Sequence, residues 1–438
     1  MTEEMLFPDG AGEAKPARKL EGGVPRLERP IRNQIEMRSS DLESLIPEEH
    51  QVRAVWDYVE KADLSALYAQ IQSVEGRAGR AAIDPKILLA LWLYATLEAI
   101  GSARALAKLC LDHLVYQWIC GGVTINYHTL ADFRSQNGEL LDRLLTESVA
   151  RLRNAGLVTL TRVAHDGMRV RANAGSGSFR REKRLEQFRA EAAEQVQALR
   201  KELDEDPGAS DLRRKAARER AARERQAHVA EALRQYPEVK AKKKHDKEEA
   251  RVSITDPDAR TMHMPDGGFR PAYNVQLTTD TASQVIVAAD AIQSGSDHGQ
   301  LPSAVQQIER RYAVTPREVL TDGGFAKAED IEQLAQASPP CTVYAPPPEL
   351  KTHDGKVIPP SKDESAEVRA WRARMETEEA KRIYKERAAT IECVNAQARN
   401  RGLQQFPVRG LKKVQAVVLL FALAHNLMCM VRLLGTMA

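Results

Sequence analysis

The run over residues 414–434, VQAVVLLFALAHNLMCMVRLL, is long and apolar enough to cross a bilayer. A chain that carries it must either give it to a membrane or build a core around it. His425, Asn426 and Arg432 fall inside the run, and such groups are costly against lipid. The run therefore reads as a buried helix, and no membrane partner is expected. The other bulk features agree. The chain has 438 residues, 43% hydrophobic and 29% charged, which suffices for two or three domains and a sizeable core. Its net charge of +3 is too small to demand a nucleic-acid partner, so the placement of charge has to decide. Five cysteines without a CxxC pair predict neither a zinc site nor a disulfide framework and fit a reducing cytoplasm. The opening MTEEMLFPDG lacks an apolar signal core.

Residues 1–40, rich in Gly, Pro and charge, read as a flexible lead-in. Residues 41–155 carry helical patterns throughout. Asp84-Pro85 looks like a helix start, followed by the nearly all-apolar ILLALWLYATLEAI. This stretch predicts an all-α N-terminal domain of a size to bind DNA. Residues 156–438 switch character. VTLTRVAHD reads as a strand ending at Asp166, YNVQLTTDTASQVIVAADA as a hairpin, and REVLTDGGF and CTVYAPP as two more short strands among helices. These elements predict a mixed α/β sheet with helices against it. Residues 179–250 interrupt it. They are rich in Arg, Lys, Glu and Ala, with Leu185, Phe188, Ala192, Val196, Leu199 and Leu203 at spacings of three and four, then DEDPGAS, then a second helical run. That pattern predicts an inserted helical hairpin. Its basic tail KAKKKHDK is either solvated or in contact with phosphate.

Three carboxylates carry the chemistry. Asp166 in VAHDGMRV and Asp322 in EVLTDGGF each close a β-like run, and Glu392 sits in the helical YKERAATIECVNAQAR. Two strand-end aspartates and a helix-borne glutamate can hold two divalent ions for phosphodiester chemistry. Asp280, Asp290 and Asp297 compete for the same role. The pair His165-Asp166 also suits a metal phosphohydrolase. On helical spacing Tyr384, Glu392 and Arg399 share a face with Arg387 beside it, and cations there suit phosphates.

Taken in order, DPKILLALWLYATLEAIGSARALAKL, HTLADFRSQN, AHDGMRVRANAGS, ITDPDAR, YNVQLTTD, VLTDGGF, YKERAATIECVNAQARNRGL and FALAHNL resemble a bacterial insertion-sequence transposase of the DDE class, of the insertion sequence family 1182 kind. The resemblance spans residue 40 to the end. It implies a ribonuclease-H-like catalytic domain in which Asp166, Asp322 and Glu392 are catalytic and bind Mg²⁺ or Mn²⁺. It further implies DNA contacts from Tyr384, Arg387, Arg399 and Arg401, cleavage and joining of DNA at the element's ends, a homodimer or larger assembly on DNA, and a cytoplasmic, nucleoid-associated protein. Two departures stand out. Glu392 lies five residues after Arg387, one more than the commonest spacing, and Arg399 stands where Lys is usual. Cys393 and Asn395 replace the Pro and Phe often found after the glutamate. A catalytically inactive, DNA-binding regulator derived from a transposase is the alternative.

Overall fold

Seven helices open the computed structural model, which describes residues 41–73, 81–205, 212–243, 246–348 and 363–435. They are α1 (Gln51–Glu60), α2 (Ser65–Tyr68), α3 (Pro85–Leu97), α4 (Ala103–Asp112), α5 (Leu114–Cys120), α6 (Tyr127–Gln136) and α7 (Gly138–Asn154). The expected lead-in, residues 1–40, lies outside the described residues. Asp84 accepts from the Lys86 N–H at 2.8 Å and Pro85 takes the first helical position, so α3 starts where the sequence predicts. Every residue of α3 from Ile87 to Ala95 is buried, as an all-round apolar helix requires.

Next comes β1 (Arg162–Arg171). It does not end at Asp166. Its second half continues the ladder, with Arg171 opposite Ala272 and Asp166 opposite Leu277, so Asp166 lies mid-strand. The partner that extends it is more than a hundred residues away, which is why local patterning stops short.

The insertion leaves and returns through one small gate. β2 (Phe179–Arg180) pairs antiparallel with β3 (Val252–Ser253), and between them run α8 (Glu182–Glu205) and α9 (Leu212–Lys242). The insertion is thus a helical hairpin. Leu185, Ala232, Tyr236, Ala250 and Val252 form a small core at its base. Farther out, Ala192, Val196, Ala222 and Val229 are buried between charged flanks. Of the basic tail, Lys240 pairs with Glu248 at 2.7 Å and Lys242 with Glu238 at 2.6 Å.

The sheet continues with β4 (Arg260–His263), β5 (Phe269–Asp280) and β6 (Ile286–Ile292), then α10 (Leu301–Tyr312), β7 (Glu318–Leu320), α11 (Ala328–Gln336) and β8 (Thr342–Tyr344). β5 runs antiparallel to both β1 and β6, while β1, β7 and β8 are parallel neighbours. β4 and β6 follow one another along the outer edge of β5. The predicted hairpin is β5–β6.

The chain closes with α12 (Ala366–Glu376), α13 (Glu378–Arg387), a π-helical turn over Ala388–Glu392, α14 (Cys393–Asn400) and α15 (Leu411–Gly435). The long apolar run lies in α15, the one described helix long and apolar enough to span a membrane. It packs on β6, α7 and α3 instead. Its polar residues point at protein: Asn426 bonds both the N–H and the carbonyl of Ile286 at 2.7 Å, and His425 Nε2 meets the Gln284 carbonyl at 2.9 Å. Each Leu, Val or Phe it buries is worth about 1.5–3 kcal/mol. Because α15 joins helices of residues 41–155 to the sheet in one hydrophobic core, the boundary expected at 155/156 marks a change of pattern rather than a break in packing.

Candidate active site

Alternation along β1 decides what its side chains meet. Successive residues face opposite sides of the sheet, so His165 and Asp166 part company. His165 is buried, with Nε2 2.8 Å from Gln276 Oε1 and Nδ1 2.8 Å from Thr278 Oγ1. Burial pushes it down to about 4, so the ring is neutral. Its bonds are used within the sheet, and a phosphohydrolase built on His165-Asp166 has no geometric basis.

Asp166 faces the other side and meets the continuous helix formed by α13, the π turn and α14. Arg387 Nη2 donates to Asp166 Oδ2 at 2.9 Å, and Asn395 Nδ2 donates to the same oxygen at 3.0 Å. Arg387 Nη1 donates to Glu392 Oε1. One guanidinium therefore bridges the first aspartate and the glutamate. The resemblance places Arg387 at DNA; here it is 8% exposed and turned inward. Burial raises Asp166 to about 6, Arg387 opposes that rise, and Asp322 adds to it. Tyr384 is raised by burial and feels Arg387, Asp322, Glu392 and Asp166 in turn. The five groups thus share one electrostatic neighbourhood, drawn from three distant parts of the chain.

The spacing from Arg387 to Glu392 has a structural cause. A π turn accommodates one extra residue and keeps the side chains at its two ends on one face. Thr390 Oγ1 satisfies the Glu386 and Arg387 carbonyls at 2.8 and 3.2 Å, and Gln284 Nε2 donates to the Ala389 carbonyl at 2.7 Å. Arg162 anchors α13 to the sheet, pairing with Glu318 at 2.5 Å and Glu386 at 2.7 Å.

Asp322 stands just beyond β7, as predicted. Its side chain accepts from the Gly324 N–H at 2.9 Å and starts a short 3₁₀ turn. A Cβ at Gly324 would come within 3.0 Å of Asp322 Oδ1, so the glycine leaves the carboxylate room. The competing aspartates have structural work. Asp280 accepts from Leu160 N–H and from Ser283 N–H and Oγ, organising the hairpin turn. Asp297 accepts from Arg169 at 2.8 Å, Asn274 at 2.7 Å and Gln276 at 3.0 Å. Asp290 accepts from its neighbour Ala291 N–H at 2.8 Å and is raised by burial.

In the sequence Asn395 stands out only as a departure from the family pattern. In the fold it is buried, grips Asp166, and its Oδ1 has no hydrogen-bond partner. Among the described residues no three acidic, His or Cys side chains stand close enough together to hold a metal as they are. The donor chemistry nonetheless suits one. Carboxylate oxygens and retained waters are what Mg²⁺ takes, a cationic group already sits between two of the carboxylates, and the orphan Asn395 oxygen could accept from a metal-bound water. Arg399 is exposed two turns beyond Glu392. Arg401 lies apart from this cluster and lines a cavity with Trp92 and Arg134.

Two family models match the chain: the Transposase domain (DUF772) over residues 40–136 and the Transposase DDE domain over residues 337–431. The second span includes Tyr384, Arg387, Glu392, Arg399 and Arg401, while Asp166 and Asp322 fall in neither. No curated protein and no solved structure matches. The two models support an insertion-sequence transposase.

Proposed function

We propose that this chain is a DDE transposase that cleaves and joins DNA at the ends of its insertion sequence, with Asp166, Asp322 and Glu392 as the catalytic carboxylates. The observation that carries the reading is their convergence with Arg387 and Tyr384 from β1, the turn after β7 and the π turn. The strand order β6–β5–β1–β7–β8, with three parallel strands and an antiparallel hairpin, supports a ribonuclease-H-like catalytic domain. The order of the motifs along the chain resembles the insertion sequence family 1182 kind.

The three carboxylates would hold Mg²⁺ or Mn²⁺, which would activate the attacking oxygen and steady the leaving one. Asp166 must be ionised to do so, and in the metal-free chain burial holds its titration above the usual carboxylate range, a rise that a bound cation would oppose as Arg387 does. Asn395 holds the Asp166 carboxylate in place through Oδ2. Arg387 neutralises the cluster in the absence of other cations. Once its carboxylates are engaged elsewhere, its guanidinium is released toward backbone phosphates, whose geometry it matches. Tyr384 and the exposed Arg399 extend that phosphate-facing edge. DNA is the partner, two ends call for a dimer or larger assembly, and the reading carries with it a cytoplasmic, nucleoid-associated location.

The bridge from Arg387 to Asp166 and Glu392 also favours a second reading, in which the chain is an inactive DNA-binding regulator whose site stays closed. A nicking and strand-transfer assay on labelled DNA bearing the element's ends, with Mg²⁺ or Mn²⁺, separates them. Cleavage by wild type and not by Glu392→Gln establishes the transposase. Specific binding without cleavage by either establishes the regulator.

A further inference from the structure

A cavity of about 240 Å³ lies at the seam between the N-terminal helices and the end of the chain. The α3–α4 connection, the segment 401–407 and α15 border it, and Trp92 and Phe421 give it apolar walls. Gly101, Ser102 and Gly402 at its rim are exposed, so it opens to solvent. Two guanidiniums line it. Arg134 is only 6% exposed; its Nη1 donates to the Gly101 carbonyl at 2.6 Å, its charge sits 4.1 Å from the Trp92 ring centre, and its Nε is buried without a partner. Arg401 Nη1 is likewise buried without a partner.

Arginines almost never lose water without gaining an acceptor or a counter-charge, because a buried unpaired charge is costly. Here burial lowers both guanidiniums, Arg134 to about 10, and no carboxylate opposes it. The N-terminus of α4, capped by Ser102, borders the same cavity and adds its own preference for negative charge. Two planar forks, a helix start and an open rim together describe a receptor for a tetrahedral oxyanion.

We infer that this cavity binds a phosphoryl group, carried by a nucleic-acid backbone or by a free phosphate. The inference does not depend on the cleavage reading, since none of the three carboxylates takes part. Its test is thermal unfolding of the metal-free full chain in inorganic phosphate against chloride at matched ionic strength. The wild type is expected to show a saturating rise in Tm, unlike the unsaturable effect of an excluded salt. Arg401→Gln and Arg134→Lys, each with wild-type circular dichroism, are expected to need roughly tenfold more phosphate for the same rise. If Arg134→Lys does not fold, the partly exposed Arg401 carries the test alone. Absence of a saturating rise in the wild type, or an unchanged dose response in folded Arg401→Gln, overturns the proposal. A short duplex DNA added to the wild type identifies the source. Loss of the phosphate-dependent rise, with duplex binding weakened in Arg401→Gln, assigns the site to the DNA backbone. A rise that persists assigns it to a free phosphate. Because the assay contains no metal and reads no cleavage, its failure leaves the proposed activity standing.

Discussion

The two sides of β1 are built from adjacent residues and have opposite characters. On one side His165, Asn274, Gln276 and Asp297 form a buried polar network that the half-buried Arg169 joins, with Asn274 Oδ1 left without a partner. On the other, Asp166 shares a guanidinium with Glu392, holds a half-satisfied amide from Asn395, and stands near Asp322. The first arrangement is closed and leaves little for a ligand to do. The second concentrates carboxylates whose mutual repulsion one arginine only partly relieves. The difference teaches that burial of polar residues is no mark of function by itself; what marks the candidate site is charge left in want of a cation.

The comparison is tested most severely by activity. Asp166→Asn, Asp322→Asn and Glu392→Gln are each expected to lower strand cleavage on the order of a thousandfold, with little change in thermal unfolding. Three variants that all fail to fold would put the acidic side among the structural networks. Gly167→Ala probes the closed side. Its Cβ would lie 2.5 Å from Asp297 Oδ1, 2.6 Å from Gln276 Nε2 and 2.9 Å from Asn274 Oδ1. These are the ends of buried, mutually bonded side chains, so urea unfolding is expected to show a loss of about 3 kcal/mol; a wild-type midpoint would mean the network yields easily. Asp297→Ala should cost less, about 1–3 kcal/mol, by stranding Asn274 and Arg169, and equal stability would show that water replaces the carboxylate there.

The smallest effect is a difference in pH response. Asp166 is raised to about 6 in the fold, so the folded state binds its proton more tightly, and its contribution to stability falls as pH rises from the usual carboxylate range through about 6. His165 is lowered to about 4, so its contribution is lost as pH falls from about 6.5 toward 4. The two slopes oppose one another. Relative to wild type, Asp166→Asn should steepen the loss of stability on acidification, and His165→Gln should lessen it. Matching profiles for both variants would remove the distinction between the two sides.

Much of this frame is legible in the chain. The hairpin β5–β6, the short strands β7 and β8 and the inserted α8–α9 pair arise from period-two and period-3.6 patterning, which is local. α15 is legible because His425 and Asn426 interrupt an apolar run, and both find backbone partners. Asp322 is legible because Asp-Gly-Gly closes a strand by its own turn chemistry. What escapes depends on distant partners. Asp166 looks like a strand end until β5 pairs past it, and Arg387 looks like a surface cation until Asp166 and Glu392 enclose it. Arg134 sits in the short helix α6, where nothing in the local sequence sets it apart, and only the seam with Arg401 and Trp92 makes it unusual. The roles of Asn395 and of the spare residue before Glu392 need the sheet beneath them to be seen.

That spare residue has a wider consequence. An extra residue in an α-helix turns everything after it by about 100°, which would swing Asn395 off Asp166. The π turn over Ala388–Glu392 absorbs the surplus within five residues, so α14 keeps its aim. Chain length at this point is then slack, taken up by pitch. Deleting Ala389 is expected to restore ordinary winding without re-aiming α14, and this helix can lengthen or shorten by one while the face it turns to β1 stays where it is.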